Sequence, residues 1–70
     1  MRFLYYIDTD GEQYSLRWYQ ISALKSNGPD QTYIWASVDG EKMKFMVTRP
    51  HGEVSDEVQQ ARDNDDWQGA

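Results

Sequence analysis

Two sets of side chains in this chain have the types and spacing to do chemistry, and both suit binding rather than catalysis. The first is a run of carboxylates, Glu53, Asp56, Glu57, Asp63, Asp65 and Asp66. Such a run can present negative charge to a basic surface, steer its approach and compete with phosphates. The second is a set of aromatic rings interleaved with cations, Tyr6, Arg17, Tyr33, Trp35, Lys42 and Lys44. Bases of single-stranded nucleic acid stack on such rings while the cations meet phosphates. Enzymatic chemistry has little to draw on. His51 is the only histidine, it follows a proline, and there is no cysteine; no motif assembles a nucleophile, base and orienting group from the hydroxyls and carboxylates that remain. Asp8-Thr9-Asp10-Gly11-Glu12 has the opening of a calcium loop, but no glutamate stands at the twelfth loop position. The expectation is a non-enzymatic protein without metal or cofactor.

Each set also has a plainer explanation. Asp56 and Glu57 suit the positive end of a helix dipole, whereas Asp63, Asp65 and Asp66 near its C-terminus oppose the dipole by about 0.3–1 kcal/mol each. Solubility, a frayed tail, or a tail folded over Arg17, Lys42 and Lys44 explains them without a partner. The aromatic set reads equally as ordinary cross-strand pairs, or as a face the helix covers. Overall acidity and the lack of an RNP-like or glycine-rich motif weigh against nucleic acid. Tyr, Trp, Met and Arg are also the residues enriched at the centres of protein interfaces.

Charge is unevenly placed. Residues 1–50 carry six acids and six bases, while residues 51–70 carry six acids against Arg62 alone, so the net charge of -5 sits in that last stretch. Seventy residues make one domain, 1–70, with a neutral body over 1–50 and an acidic helix and tail over 51–70. A domain of this size buries only about 60% of the surface its unfolded chain exposes. Lack of cysteine removes disulfides and thiolate metal sites as staples and fits a reducing compartment. No apolar run approaches the roughly 18 residues of a membrane span, and the start turns charged at Asp8, early for a signal peptide. A cytoplasmic protein without a membrane partner is expected.

Hairpins must position these side chains. A two-residue turn at Asp10-Gly11 sets Ile7 opposite Tyr14, Tyr5 opposite Leu16 and Phe3 opposite Trp18, an apolar ladder, and leaves Tyr6 and Arg17 on the other face. Tyr19-Gln20-Ile21 completes the second strand, and Ser22 caps one helical turn through Ala23-Leu24-Lys25 that ends at Asn27-Gly28. Asp39-Gly40 then turns a second hairpin, Thr32–Val38 against a strand through Lys42–Arg49. It pairs Ile34 with Phe45 and Ala36 with Met43 on one face, and Trp35 with Lys44 on the other. Pro50-His51-Gly52 reads as a break, followed by a helix from Ser55 to Asn64 with a thin stripe of Val54, Val58 and Ala61. The predicted fold is α+β: a four-stranded antiparallel sheet from two hairpins, order β-β-β-β-α, with a short C-terminal helix and an acidic tail.

A compact, acidic, cysteine-free domain of this kind resembles, in size and charge alone, the small inhibitors that phages encode against host nucleases and CRISPR complexes. The expected function is a stoichiometric protein-binding module, of the anti-CRISPR or anti-restriction kind, using its acidic end against a basic, nucleic-acid-handling partner. Two alternatives stand beside it: a single-strand nucleic-acid binder using the aromatic and basic face, and a structural component, with the chain a monomer or a homodimer.

Overall fold

The computed structural model describes the backbone of residues 3–69 and the side chains of residues 3–65. The chain runs β1 (Leu4–Ile7), β2 (Gln13–Leu16), a 3₁₀ turn (Trp18–Gln20), β3 (Ile21–Ser26), β4 (Thr32–Val38), β5 (Glu41–Val47) and α1 (His51–Gly69). The class is α+β and the strand pairs are antiparallel, as expected. The single four-stranded sheet is not found: β1 and β2 form one sheet, and β3-β4-β5 form another.

The second hairpin follows its turn chemistry. Asp39 and Gly40 both take positive φ, 53° and 82°, the backbone of a two-residue primed turn that matches the twist of the flanking strands. The pairs are those expected, including Ile34 with Phe45, Ala36 with Met43 and Trp35 with Lys44. Ile34, Ala36, Phe45 and Val47 are buried on one face.

In the first hairpin the loop is one residue longer than expected. Asp8 donates its N–H to the Glu12 carbonyl at 2.9 Å, and Gly11 donates to the Asp8 carbonyl at 3.0 Å. The Asp8 carboxylate accepts from the N–H groups of Asp10 and Glu12, both at 2.9 Å, the local bonding that suits aspartate to turns. Gly11, at φ 86°, is the left-handed residue that closes a three-residue loop. The register becomes Leu4 with Leu16 and Tyr6 with Tyr14. A shift by one residue moves a strand's whole side-chain set to the other face. Tyr14 and Leu16 still face inward, but β1 is inverted: Leu4 and Tyr6 are buried, while Phe3, Tyr5 and Ile7 face solvent.

The expected helical turn at Ala23-Leu24-Lys25 is instead part of β3, antiparallel to β4 with a bulge between Ile21 and Ala23. The 3₁₀ turn before it is held by the Arg17 N–H donating to Gln20 Oε1 at 2.8 Å and the Gln20 N–H donating to the Arg17 carbonyl at 3.0 Å. That turn ends β2 at Leu16, before Tyr19-Gln20-Ile21 can extend it, and places the following strand in the other sheet. The two sheets meet at a bridge between Asp8 and Val47, where Thr9 donates to the Met46 carbonyl at 3.1 Å.

The helix starts at His51 rather than Ser55 and runs 19 residues. Pro50 does not break it but precedes it, its carbonyl accepting the Val54 N–H at 3.2 Å; proline is tolerated at a helix start because no N–H is needed there. Val54 and Ala61 are fully buried, and Val58 packs against the core beside them, the stripe the sequence spacing predicts. The first hairpin closes over the same core. Phe45 stacks on Tyr14 with centroids 4.1 Å apart and lies 6.4 Å from the Tyr6 ring. Helix and hairpin therefore share one side of the three-stranded sheet, and the side bearing Tyr33, Trp35 and Lys44 lies away from the core.

Candidate functional site

The acidic set does not form one surface. Arg49, just before α1, reaches Glu53 Oε1 through Nη2 at 2.7 Å and Nε at 3.1 Å, and its Nη2 also contacts Glu57. Its guanidinium lies 5.7 Å from the Tyr6 ring centroid, and its carbonyl accepts from Thr32 Oγ1 at 2.8 Å. Glu53 and Glu57 thus help fasten the helix to the sheets. Asp65 accepts a hydrogen bond from the Trp18 indole N–H at 2.6 Å, with the Arg62 guanidinium 5.8 Å from the same ring. Asp63 accepts from Gln59 at 3.0 Å. Asp56 is exposed and makes no side-chain bond among the described residues. The Asp66 side chain lies outside the described residues. Asp56 and Asp63 are therefore the described acids of this set without a tie to another element.

The aromatic and basic set is also divided. Tyr6 is 2% exposed and belongs to the core, because the longer loop turns it inward. Its hydroxyl is buried and has no hydrogen-bond partner among the described residues. Burial pushes the phenol pKa above its ordinary value, and the nearby Arg49 charge partly offsets that. Arg17 lies over the Phe3 ring, 4.9 Å from its centroid, on the first hairpin. Tyr33, Trp35, Lys42 and Lys44 do come together on the outward side of the three-stranded sheet. The Lys44 ammonium sits 4.4 Å from the Tyr33 centroid and 5.2 Å from that of Trp35, with the two rings 5.9 Å apart.

Two features of these surfaces escape sequence reasoning. β3 sets Lys25 beside Tyr33 and Ala23 beside Trp35, adding a third lysine that the helical-turn reading assigns elsewhere. The signal available was the match of Ser22–Ser26 to the strand Thr32–Ala36 across the turn residues Asn27-Gly28-Pro29-Asp30. The second is a stripe formed by Phe3 and the outward side of β1. Phe3 is 40% exposed, Tyr5 70% and Ile7 60%, with Gln13 and Ser15 opposite Ile7 and Tyr5 on β2. These three side chains are assigned to the core by the two-residue turn and to solvent by the three-residue loop.

Among the described residues no group of three potential ligands could hold a metal ion, and no helix is long and apolar enough to cross a membrane. Comparisons with protein-family models, with curated proteins and with solved structures give no match.

Proposed function

We propose that this chain is a non-enzymatic, stoichiometric protein-binding module that docks through the Phe3, Tyr5 and Ile7 face of its first hairpin. The observation that carries the reading is the exposure of that stripe. A domain with so small a core gains about 1.5–3 kcal/mol from each large apolar side chain it fully buries, yet Phe3, just before β1, and Tyr5 and Ile7 on it face water. Contiguous exposed apolar side chains rimmed by polar ones mark interaction surfaces, and here Arg17, Gln13 and Ser15 form the rim. In the inhibitor form of this reading, directed at a basic, nucleic-acid-handling complex, Asp56 and Asp63 add electrostatic steering while the stripe supplies the lasting contact.

The test is capture of a partner from cell extract by the intact chain and by two folded double variants, Tyr5→Ser with Ile7→Ser, and Asp56→Lys with Asp63→Lys. Washing at about 0.1 M and about 0.5 M salt separates screened from unscreened contacts. The expected result is a partner retained at high salt, lost with the hairpin variant and captured more slowly by the lysine variant. Equal capture by the hairpin variant would overturn the reading. Should the partner be a second copy, sedimentation of the purified chain will show a dimer that the hairpin variant dissociates.

A further inference from the structure

The outward side of the three-stranded sheet has a chemistry that the hairpin stripe does not use. Register places Ala23 and Lys25 of β3, Tyr33, Trp35 and Ser37 of β4, and Lys42, Lys44 and Met46 of β5 on this side. The charged members are all lysines, in a chain whose net charge is -5. The acidic helix packs on the opposite side, through Val54 and Ala61, so the chain's overall charge misstates the potential here. Ala23 and Ser37 are small, and beside Trp35 they leave an open trough of about 740 Å³ with Lys25 and Lys42 on its rim.

Neighbouring charges limit what can lie on this face. Asp8, Asp10 and Glu12 of the first loop share a second hollow with Tyr33, Lys44 and Met46, and Asp39 and Glu41 stand exposed at the turn between β4 and β5. An anionic chain is repelled from both borders and confined to the trough and its Lys25 side. The footprint is short.

We infer that this face binds a short segment of single-stranded nucleic acid, with one base seated in the trough against Trp35 and the flanking phosphates at Lys25 and Lys42. An apolar trough walled by an indole suits the flat face of a base, and the rim lysines suit the phosphates on either side of it. Lys44, held against both rings, keeps a further positive charge beside the stack. A duplex keeps its bases stacked inside and has none to seat. An acidic peptide satisfies the lysines but leaves the trough unfilled.

The experiment is a fluorescence-anisotropy titration of a labelled oligothymidylate of about twelve nucleotides with the full chain at low salt. Binding is expected, with a log–log salt slope of about -1.4, the value for two phosphates neutralised on a single strand. Lys25→Glu with Lys42→Glu, two exposed changes that disturb no packing, lowers affinity at least about tenfold. Trp35→Ala lowers it about fivefold to a hundredfold, and Trp35→Phe, which keeps a ring and the sheet packing, restores most of it. Tyr5→Ser with Ile7→Ser leaves oligonucleotide binding unchanged, so this inference and the protein-docking reading stand or fall separately. No binding at low salt, equal binding of a hairpin duplex, insensitivity to Lys25→Glu with Lys42→Glu, or equal competition by polyglutamate would overturn it.

Discussion

Among the described residues, the Tyr6 hydroxyl is a buried polar group without a hydrogen-bond partner. A buried polar group without a partner costs about 1–3 kcal/mol, and this one lies at 2% exposure among apolar neighbours. Tyr6→Phe keeps the ring that meets Phe45 and removes the orphan oxygen, so it should raise stability by about 1 kcal/mol in urea unfolding at neutral pH. The same residue sets an alkaline limit. Its folded pKa is raised above the ordinary value of 10.0, as is that of Tyr14, through partial burial and then its hydrogen bond to Asp8. Below pH 10 the folded and unfolded chains both hold these protons, and the stabilising contribution is complete. Above it the unfolded chain ionises first, so stability declines as pH rises through the folded values. Tyr6→Phe should make that decline shallower in a pH series of urea midpoints. Asp65 shows a different limit of reading by residue. Its carboxylate opposes the helix dipole and so looks like surplus charge, but its indole partner Trp18 stands 47 positions away, a distance no local pattern bridges.

Turns decide how far the elements could be read. Asp39-Gly40 forms the two-residue turn its sequence specifies, and the whole pairing of β4 with β5 follows. Asp10-Gly11 has the same two residues, but the Asp8 side chain bonds two backbone N–H groups and holds a longer loop, which inverts β1. β3 was illegible for another reason: Ser22-Ala23-Leu24-Lys25 has sound local helix signals, and pairing with β4 overrides them. The helix stripe was readable from spacing, and its start was not, because Pro50 serves as a beginning where it reads as a stop. Two glycines test these backbone assignments. Gly40, at φ 82°, should lose about 1–2 kcal/mol on Gly40→Ala, since a Cβ disfavours the left-handed region. Gly52 lies inside α1 with open space around the position a Cβ would take. Gly52→Ala should therefore gain about 0.5–1 kcal/mol, which the same urea series measures. A loss at Gly52 would return the helix start to Ser55.

At the scale of the molecule, charge divides the sequence into a neutral 1–50 and an acidic 51–70, while packing decides which side chains each part presents. The acidic helix turns carboxylates toward Arg49 and Trp18 to hold itself in place, and the sheets offer the uncovered faces: an apolar one on the first hairpin and an aromatic, lysine-bearing one on the three-stranded sheet. Both follow from which side of each strand the core claims, and for β1 that rests on the length of one loop. The most direct test is urea unfolding, followed by circular dichroism, of Leu4→Ala beside Tyr5→Ala. Leu4 is 2% exposed and Tyr5 70%, so Leu4→Ala should cost about 2–5 kcal/mol and leave much of the population unfolded, while Tyr5→Ala should cost less than about 1 kcal/mol. Severe loss at Tyr5 with tolerance at Leu4 would restore the two-residue turn, return Phe3, Tyr5 and Ile7 to the core, and remove the proposed docking face.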